Sequence, residues 1–179
     1  MTAIATQTPA ADAQHDPKAR QATEQFLTFR LAGEEYGVTI LRVQGIQGWD
    51  RVTPIPNTPD YILGVINLRG AIVPIVDLRK RFGLAAGEFG PTTVVIVVKV
   101  QAQRHDRTIG LVVDAVSDVC NVGAEDLKPA PNFGDGIRTD FIQGLATVEG
   151  RMVILLAIDP LISEMGARAL EMLRSDDRW

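Results

Sequence analysis

Apolar residues fall in short runs along this chain, broken by turn-forming residues roughly every ten positions, a pattern typical of small barrels or sandwiches. Phe26-Leu27-Thr28-Phe29-Arg30-Leu31 is the first run, and Ala32-Gly33-Glu34-Glu35 turns it into Tyr36-Gly37-Val38 as a hairpin. Ile40, Val43 and Ile46 then recur at every third position. Strand alternation has a period of two, so a strand interrupted by one helical turn is expected there. Val52 to Pro59 is too rich in proline for a central strand and reads as an extended edge or loop. Pro59 to Leu63 is expected to form one helical turn before Gly64. Val65-Ile66-Asn67 and Ile72 to Val76 flank Gly70 as a second hairpin. Asp77 as N-cap and Gly83 just past the end bracket a short helix.

Leu84 to Pro91 reads as loop. Thr92 to Val100, rich in Val and Ile, is the strongest strand signal. Gln101 to Arg107 is a polar turn, with Thr108 to Val113 returning. Asn121 to Asp140 reads mostly as loop, and Gly144 to Val148 with Met152 to Ile158 forms the last hairpin. Asp159-Pro160 opens a C-terminal helix, Asp as cap and Pro at the first helical position. Leu161, Met165, Ala169, Met172 and Leu173 give that helix one apolar side. Residues 1–23 have no apolar face and read as a disordered tail.

The chain also repeats itself. Tyr61-Ile62-Leu63-Gly64-Val65-Ile66-Asn67-Leu68-Arg69-Gly70 matches Phe141-Ile142-Gln143-Gly144-Leu145-Ala146-Thr147-Val148-Glu149-Gly150. Upstream of each, Gly37 to Ile46 echoes Gly110 to Val119. The order is the same in both halves, which implies two similar small units packed together. A seam between such units is a natural binding place.

The chain has 179 residues, 46% of them hydrophobic and 22% charged, sufficient to bury roughly 70% of its unfolded surface. Its net charge is -4 and no Lys/Arg run makes a phosphate-binding stripe, so nucleic acid is not an expected partner. Cys120 is the only cysteine, which excludes an internal disulfide and a cysteine metal cage and fits a reducing compartment. No signal-peptide core is visible, and the longest apolar runs, Thr93 to Val98 and Met152 to Ile158, fall short of a membrane span. A cytoplasmic protein is expected.

Catalytic chemistry is sparse. His15 lies in the tail and His105 in a polar turn, neither with a partner at triad or ligand spacing. Cys120 reads as a small buried hydrophobe. No Gly-rich phosphate loop is present. Asp77, Asp114 and Asp159 each follow an apolar strand and form the one enzymatic lead. Capping explains Asp77 and Asp159 more simply. Neither a catalytic residue nor a metal ligand nor a cofactor is assigned. Arg69, beside Gly70 at a hairpin tip, is either a solvated arginine or an interface anchor.

Several motifs are familiar together. Glu34-Glu35-Tyr36-Gly37-Val38, Ile40 to Gln44, Asn57-Thr58-Pro59, Gly64 to Gly70, and Ile72 to Leu78 resemble the CheW family, the bacterial chemotaxis coupling proteins. Thr93 to Val97, Gly110 to Val119, Pro129-Ala130-Pro131 and Phe141 to Gly144 continue the resemblance, which runs from about Gln25 to Ser163. Its most specific element is Asn67-Leu68-Arg69-Gly70 followed by Pro74-Ile75-Val76-Asp77-Leu78.

The resemblance implies an all-β fold: two five-stranded, SH3-like β-barrels side by side around an apolar seam, with short helices and a C-terminal helix. The CheW-like domain would span residues 24–163, with barrels near 24–90 and 91–163 and terminal elements free to exchange between them. Residues 164–179 would form the helix and tail. It also implies a non-enzymatic adaptor, cytoplasmic and recruited to membrane receptor clusters. Such an adaptor joins the histidine kinase CheA, through that kinase's regulatory domain, to the helical tips of chemoreceptors.

Family groove residues carry over to Val43, Ile46, Val116 and Val119, with Arg69 as the family's functional arginine; ordinary core is the alternative for the four apolar positions. The kinase-facing surface would lie on the first barrel, around Trp49, Arg51, Asn57 and Tyr61. Many relatives have Val-Gln-Glu-Ile where this chain has Val43-Gln44-Gly45-Ile46. The missing Glu removes a potential ion-pair partner of Arg69. Two further readings stand beside this one. An oligonucleotide-binding barrel is disfavoured by the acidic charge and few aromatics. An enzyme using the three aspartates requires them to converge.

Overall fold

Strand pairing crosses between the two halves of the repeat. The structure, a computed structural model, describes residues 23–101, 106–131 and 139–163. The first half builds β1 (Thr23–Leu31), β2 (Glu34–Thr39), a 3-10 turn (Ile40–Arg42), β3 (Val43–Gly48), β4 (Ile62–Leu68), β5 (Ala71–Asp77) and helix α1 (Leu78–Arg81). The second builds β6 (Val94–Gln101), β7 (Asp106–Val113), β8 (Ala115–Gly123), β9 (Leu127–Lys128), β10 (Ile142–Val148), β11 (Arg151–Leu156) and helix α2 (Ile158–Ser163).

One sheet has the order β8-β1-β2-β11-β10-β9 and the other β3-β6-β7-β5-β4. The first two strands of each half thus lie in the sheet built mainly by the other half. The exchange is reciprocal: β2 runs parallel to β11 as β7 runs parallel to β5. The all-β, SH3-like architecture stands, with the two-residue β9 making one sheet six-stranded rather than five-stranded.

Local chemistry explains the elements. Arg69 and Gly70 adopt φ 52° and 89°, and Glu149 and Gly150 adopt 49° and 77°, the left-handed pair that tight two-residue hairpins require. The side-chain oxygen of Asn67 accepts the Gly70 N–H at 2.9 Å and pins the first tip. Asp77 caps α1, accepting from Arg79 N and Lys80 N, and Gly83 follows with φ 67°. Gly64 has φ 146°, and a Cβ there would collide with the Thr53 carbonyl. That close approach is a strand contact: Thr53 and Val65 exchange two hydrogen bonds of 2.9 Å. The equivalent contact in the other sheet is Lys128 opposite Leu145. In both sheets the first edge strand runs on toward the last strand, and the sheet curls.

Among the described residues, three apolar clusters hold the fold. The largest lies between the sheets, where Leu27, Phe29 and Leu31 meet Ile96, Val98, Ile109 and Leu111, with Ile158, Leu161 and Ile162 of α2 closing one side. Each such side chain contributes about 1.5–3 kcal/mol on burial. Smaller clusters fill each curl, one around Phe26 and Leu155, the other around Ile75 and Val97. Phe29, Tyr36, Phe82 and Phe141 stack in succession at centroid distances of 6.0, 5.8 and 5.1 Å, tying both halves to the seam. Burial pushes the Tyr36 phenol upward, helped by the charge of Glu34.

Several local expectations change. The helical turn expected over Pro59 to Leu63 is a single turn closed by Ile62 N donating to Pro59 O, and β4 begins at Ile62, which makes Leu63 strand. The expected loop from Asn121 is strand through Gly123, because β1 pairs with it as far as Thr23. Asp159 lies inside α2 and is not its cap. The expected helical turn is the 3-10 turn between β2 and β3, which accounts for the Ile40 to Val43 interval, while the Val43 to Ile46 interval spans a register shift within β3. His15, His105, the N-terminal tail through Ala22, and the apolar positions from Met165 onward lie outside the described residues.

Candidate functional site

β3 and β8 are edge strands, each first in its sheet's order. Both carry an irregularity at the same point of the repeat. On β3 the register shifts between Val43 and Gly45, which leaves Gln44 as the extra residue. On β8, Ser117 and Asp118 face the single residue Thr28. Such bulges bend an edge and discourage further strand addition. Thr28 fastens the second: its Oγ1 donates to Asp118 O at 2.9 Å and accepts from Asp118 N at 3.1 Å.

Directly opposed residues in a sheet share a face. Val43 opposes Val98 and Ile46 opposes Ile96. Val116 opposes Phe29 and Val119 opposes Leu27. All four opposing residues belong to the seam cluster, so the four family positions lie on the seam-facing side of the two edges. Val43 and Val116 are half-buried and pack on that cluster. Ile46 is 46% exposed and Val119 44%. The seam itself is filled, and its rim carries an apolar stripe open to solvent.

Arg69 is exposed at the β4–β5 tip, at the other end of the strand order from β3. Among the described residues no carboxylate pairs with it. A Cβ at Gly45 would meet nothing within 4 Å. The four kinase-side positions divide. Trp49 packs on the Ile75–Val97 cluster, its ring 4.3 Å from that of Phe89. Tyr61 packs on the seam cluster beneath the Arg81 guanidinium, 5.7 Å from its ring centroid. Arg51 and Asn57 are exposed, Asn57 with φ 62°.

The three aspartates have separate structural partners. Asp77 is 5% exposed and bound to the N-terminus of α1. Asp114 accepts from Nε and Nη2 of Arg79 and from the N–H of Ala32, while Arg79 Nη1 donates to Ala85 O. Burial alone would raise its pKa, but those hydrogen bonds and the Arg79 charge outweigh it and hold the carboxyl below its ordinary value. Asp159 accepts from Arg42 at 2.6 Å and from Gln101 N at 2.8 Å. No group of three or more potential metal ligands occurs among the described residues. Cys120 is half-buried; burial pushes its thiol upward, and the charges of Asp118 and Glu149 add to this. It lines a polar hollow of about 330 Å³ with Glu35, Ser117 and Asp118 beside Val119.

Sequence reasoning missed the Arg42–Asp159 and Arg79–Asp114 pairs. The repeat alignment held the signal, since it sets Arg79 against Asp159 and Arg42 one position from Asp114. It also missed Leu41, 86% exposed on the 3-10 turn ahead of β3.

Comparison with known proteins agrees with the fold. The CheW-like domain family matches residues 25–165. The chain is 48% identical over 140 residues to the chemotaxis protein CheW of Klebsiella aerogenes, covering 78% of this chain and 82% of that protein. It is 42% identical over 135 residues to the chemotaxis protein CheW of Rhizobium meliloti, covering 75% and 84%. The crystal structure of the scaffolding protein TtCheW from Thermoanaerobacter tengcongensis superposes with a TM-score of 0.71 at 34% identity, covering 79% of this chain and 94% of that one.

Proposed function

The chain belongs to the CheW family, and we propose that it is a non-enzymatic chemotaxis adaptor coupling chemoreceptors to the histidine kinase CheA. The observation that carries this is the rim of the seam. The core between the sheets is complete, yet Ile46 and Val119 remain about half exposed beside half-buried Val43 and Val116. An apolar stripe on a rigid, filled body suits a helix that docks by side chains at helical spacing. The receptor's helical tip would lie along this stripe, with Arg69 free to meet an acidic group. An interface of ordinary size buries about 800 Å² on each side.

The kinase-facing surface would use the exposed part of the first barrel, where Arg51 and Asn57 face solvent. Trp49 and Tyr61 would act from beneath as packing supports. The mechanism is positional: the adaptor holds kinase and receptor in fixed geometry so that receptor conformational bias reaches the kinase. In a receptor cluster, weak contacts add through high effective concentration. No helix among the described residues is long and apolar enough to cross a membrane, so recruitment to receptors would supply the membrane location. The domain would comprise residues 24–163, with the tail and C-terminal segment outside it.

A three-way reconstitution tests this. The full chain, its CheA and a receptor cytoplasmic fragment should form a ternary complex in which kinase activity responds to the receptor. Receptor control that persists without this protein, or failure to bind either partner, would overturn the proposal.

A further inference from the structure

Two ion pairs occupy equivalent places in the two halves with their charges reversed. In one, Arg79 of α1 donates through Nε to Asp114 Oδ1 at 2.7 Å, and its second arm reaches Asp114 Oδ2. In the other, Arg42 at the end of the 3-10 turn donates to Asp159 Oδ2 in α2 at 2.6 Å. A third group recurs as well. Asp114 accepts the N–H of Ala32 just after β1, and Asp159 accepts the N–H of Gln101 at the end of the equivalent strand β6, both at 2.8 Å. Each site thus combines a residue on the helix after a hairpin, a residue at a strand junction, and the N–H that ends a first strand. Both pairs cross between the halves, and their side chains are only 23–32% exposed.

We infer that these pairs form a polarity code that specifies which half-chain pairs with which. The first half carries both cations and the second half both anions. Two similar units that exchange strands face a choice, because strand patterning alone also permits like halves to pair between copies. Two first halves would set Arg79 against Arg42 at each site. Two second halves would set Asp159 against Asp114, with one backbone N–H between them. Like charges in a partly buried site disfavour that pairing, and such repulsion is a direct way to reject the wrong partner. The surface accepts a half-chain bearing carboxylates at the Asp114 and Asp159 positions, from the same chain or a second copy. A strand-exchanged dimer of two chains therefore satisfies the code, whereas like-half pairing does not.

The test inverts the code in the full-length chain. R42D/R79D and D114R/D159R each place four like charges at the sites and should raise the unfolding equilibrium constant at least about 100-fold in urea titration. The quadruple variant restores opposite charges and should recover most of that loss. A quadruple variant no more stable than either double would overturn the inference. Selection is read separately, on full chains with a protease site inserted between Gly87 and Glu88, cleaved after folding. Wild-type and quadruple chains, unfolded together and refolded, should return matched half-chain pairs in at least about tenfold excess over mismatched pairs by native mass spectrometry. Random mixing would overturn it equally, and if cleaved chains do not refold, the intact-chain comparison decides.

Discussion

Replacing Val119 by Arg separates binding from folding, and the structure sets both magnitudes. Val119 lies on the seam face of β8 but is 44% exposed. A fully buried Val contributes about 1.5–3 kcal/mol, so this side chain holds roughly half of that. An arginine stem can cover the same patch while its charge stays in water. The loss of stability should therefore be under about 1 kcal/mol, a small shift in the urea midpoint. Docking is different, because a partner helix over this position would strip water from an unpaired guanidinium. A disrupted anchor costs about 2–4 kcal/mol, or about a 30- to 1,000-fold loss of receptor-fragment affinity by calorimetry. Val116→Arg makes the contrast: Val116 packs on the seam cluster opposite fully buried Phe29, so this variant should lose about 2–3 kcal/mol of stability as well as binding. A well-folded Val119→Arg protein that binds the receptor fragment within about threefold of wild type would refute the docking argument.

Other outcomes follow from single contacts. Gly64→Ala should lose about 3 kcal/mol or more, because a Cβ there strikes the Thr53 carbonyl at φ 146°, while Gly48→Ala, whose Cβ meets nothing, should stay within about 1 kcal/mol; urea titration of both checks this. Asp77→Ala removes the acceptor of two α1 N–H groups and should cost about 1–2 kcal/mol in thermal unfolding. Asp114 is held below its ordinary pKa, so its stabilisation is complete above about pH 4 and is lost as pH falls through the lower folded-state value. Asp114→Asn should accordingly flatten the acid limb of the stability curve, by at most about 1.4 kcal/mol per pH unit; an unchanged limb would show that the carboxylate contributes nothing. Arg69→Glu, at an exposed tip, should leave the unfolding free energy from urea titration within about 0.5 kcal/mol of wild type yet weaken receptor capture in the same calorimetric assay.

Much of this protein was legible in its sequence because the signals are local. The Arg69-Gly70 and Glu149-Gly150 tips, the Asp77 cap and the 3-10 turn between β2 and β3 are set by nearest neighbours and backbone preferences. The repeat and the family motifs likewise need no coordinates. Tertiary structure decided where partners are distant. Asp159 reads as a cap in isolation, but Arg42, 117 residues earlier, claims its carboxylate. Asn121 reads as loop, but Gln25 pairs with it across the sheet and makes it strand. The same holds for the proposed docking surface. Val43 and Ile46 stand three residues apart, as do Val116 and Val119, so simple alternation would turn them to opposite faces; the bulge between them, set by pairing across the sheet, brings them to one face of their strand. Which pair is covered and which stays open depends on what another segment of chain lays over them, and no local pattern carries that information.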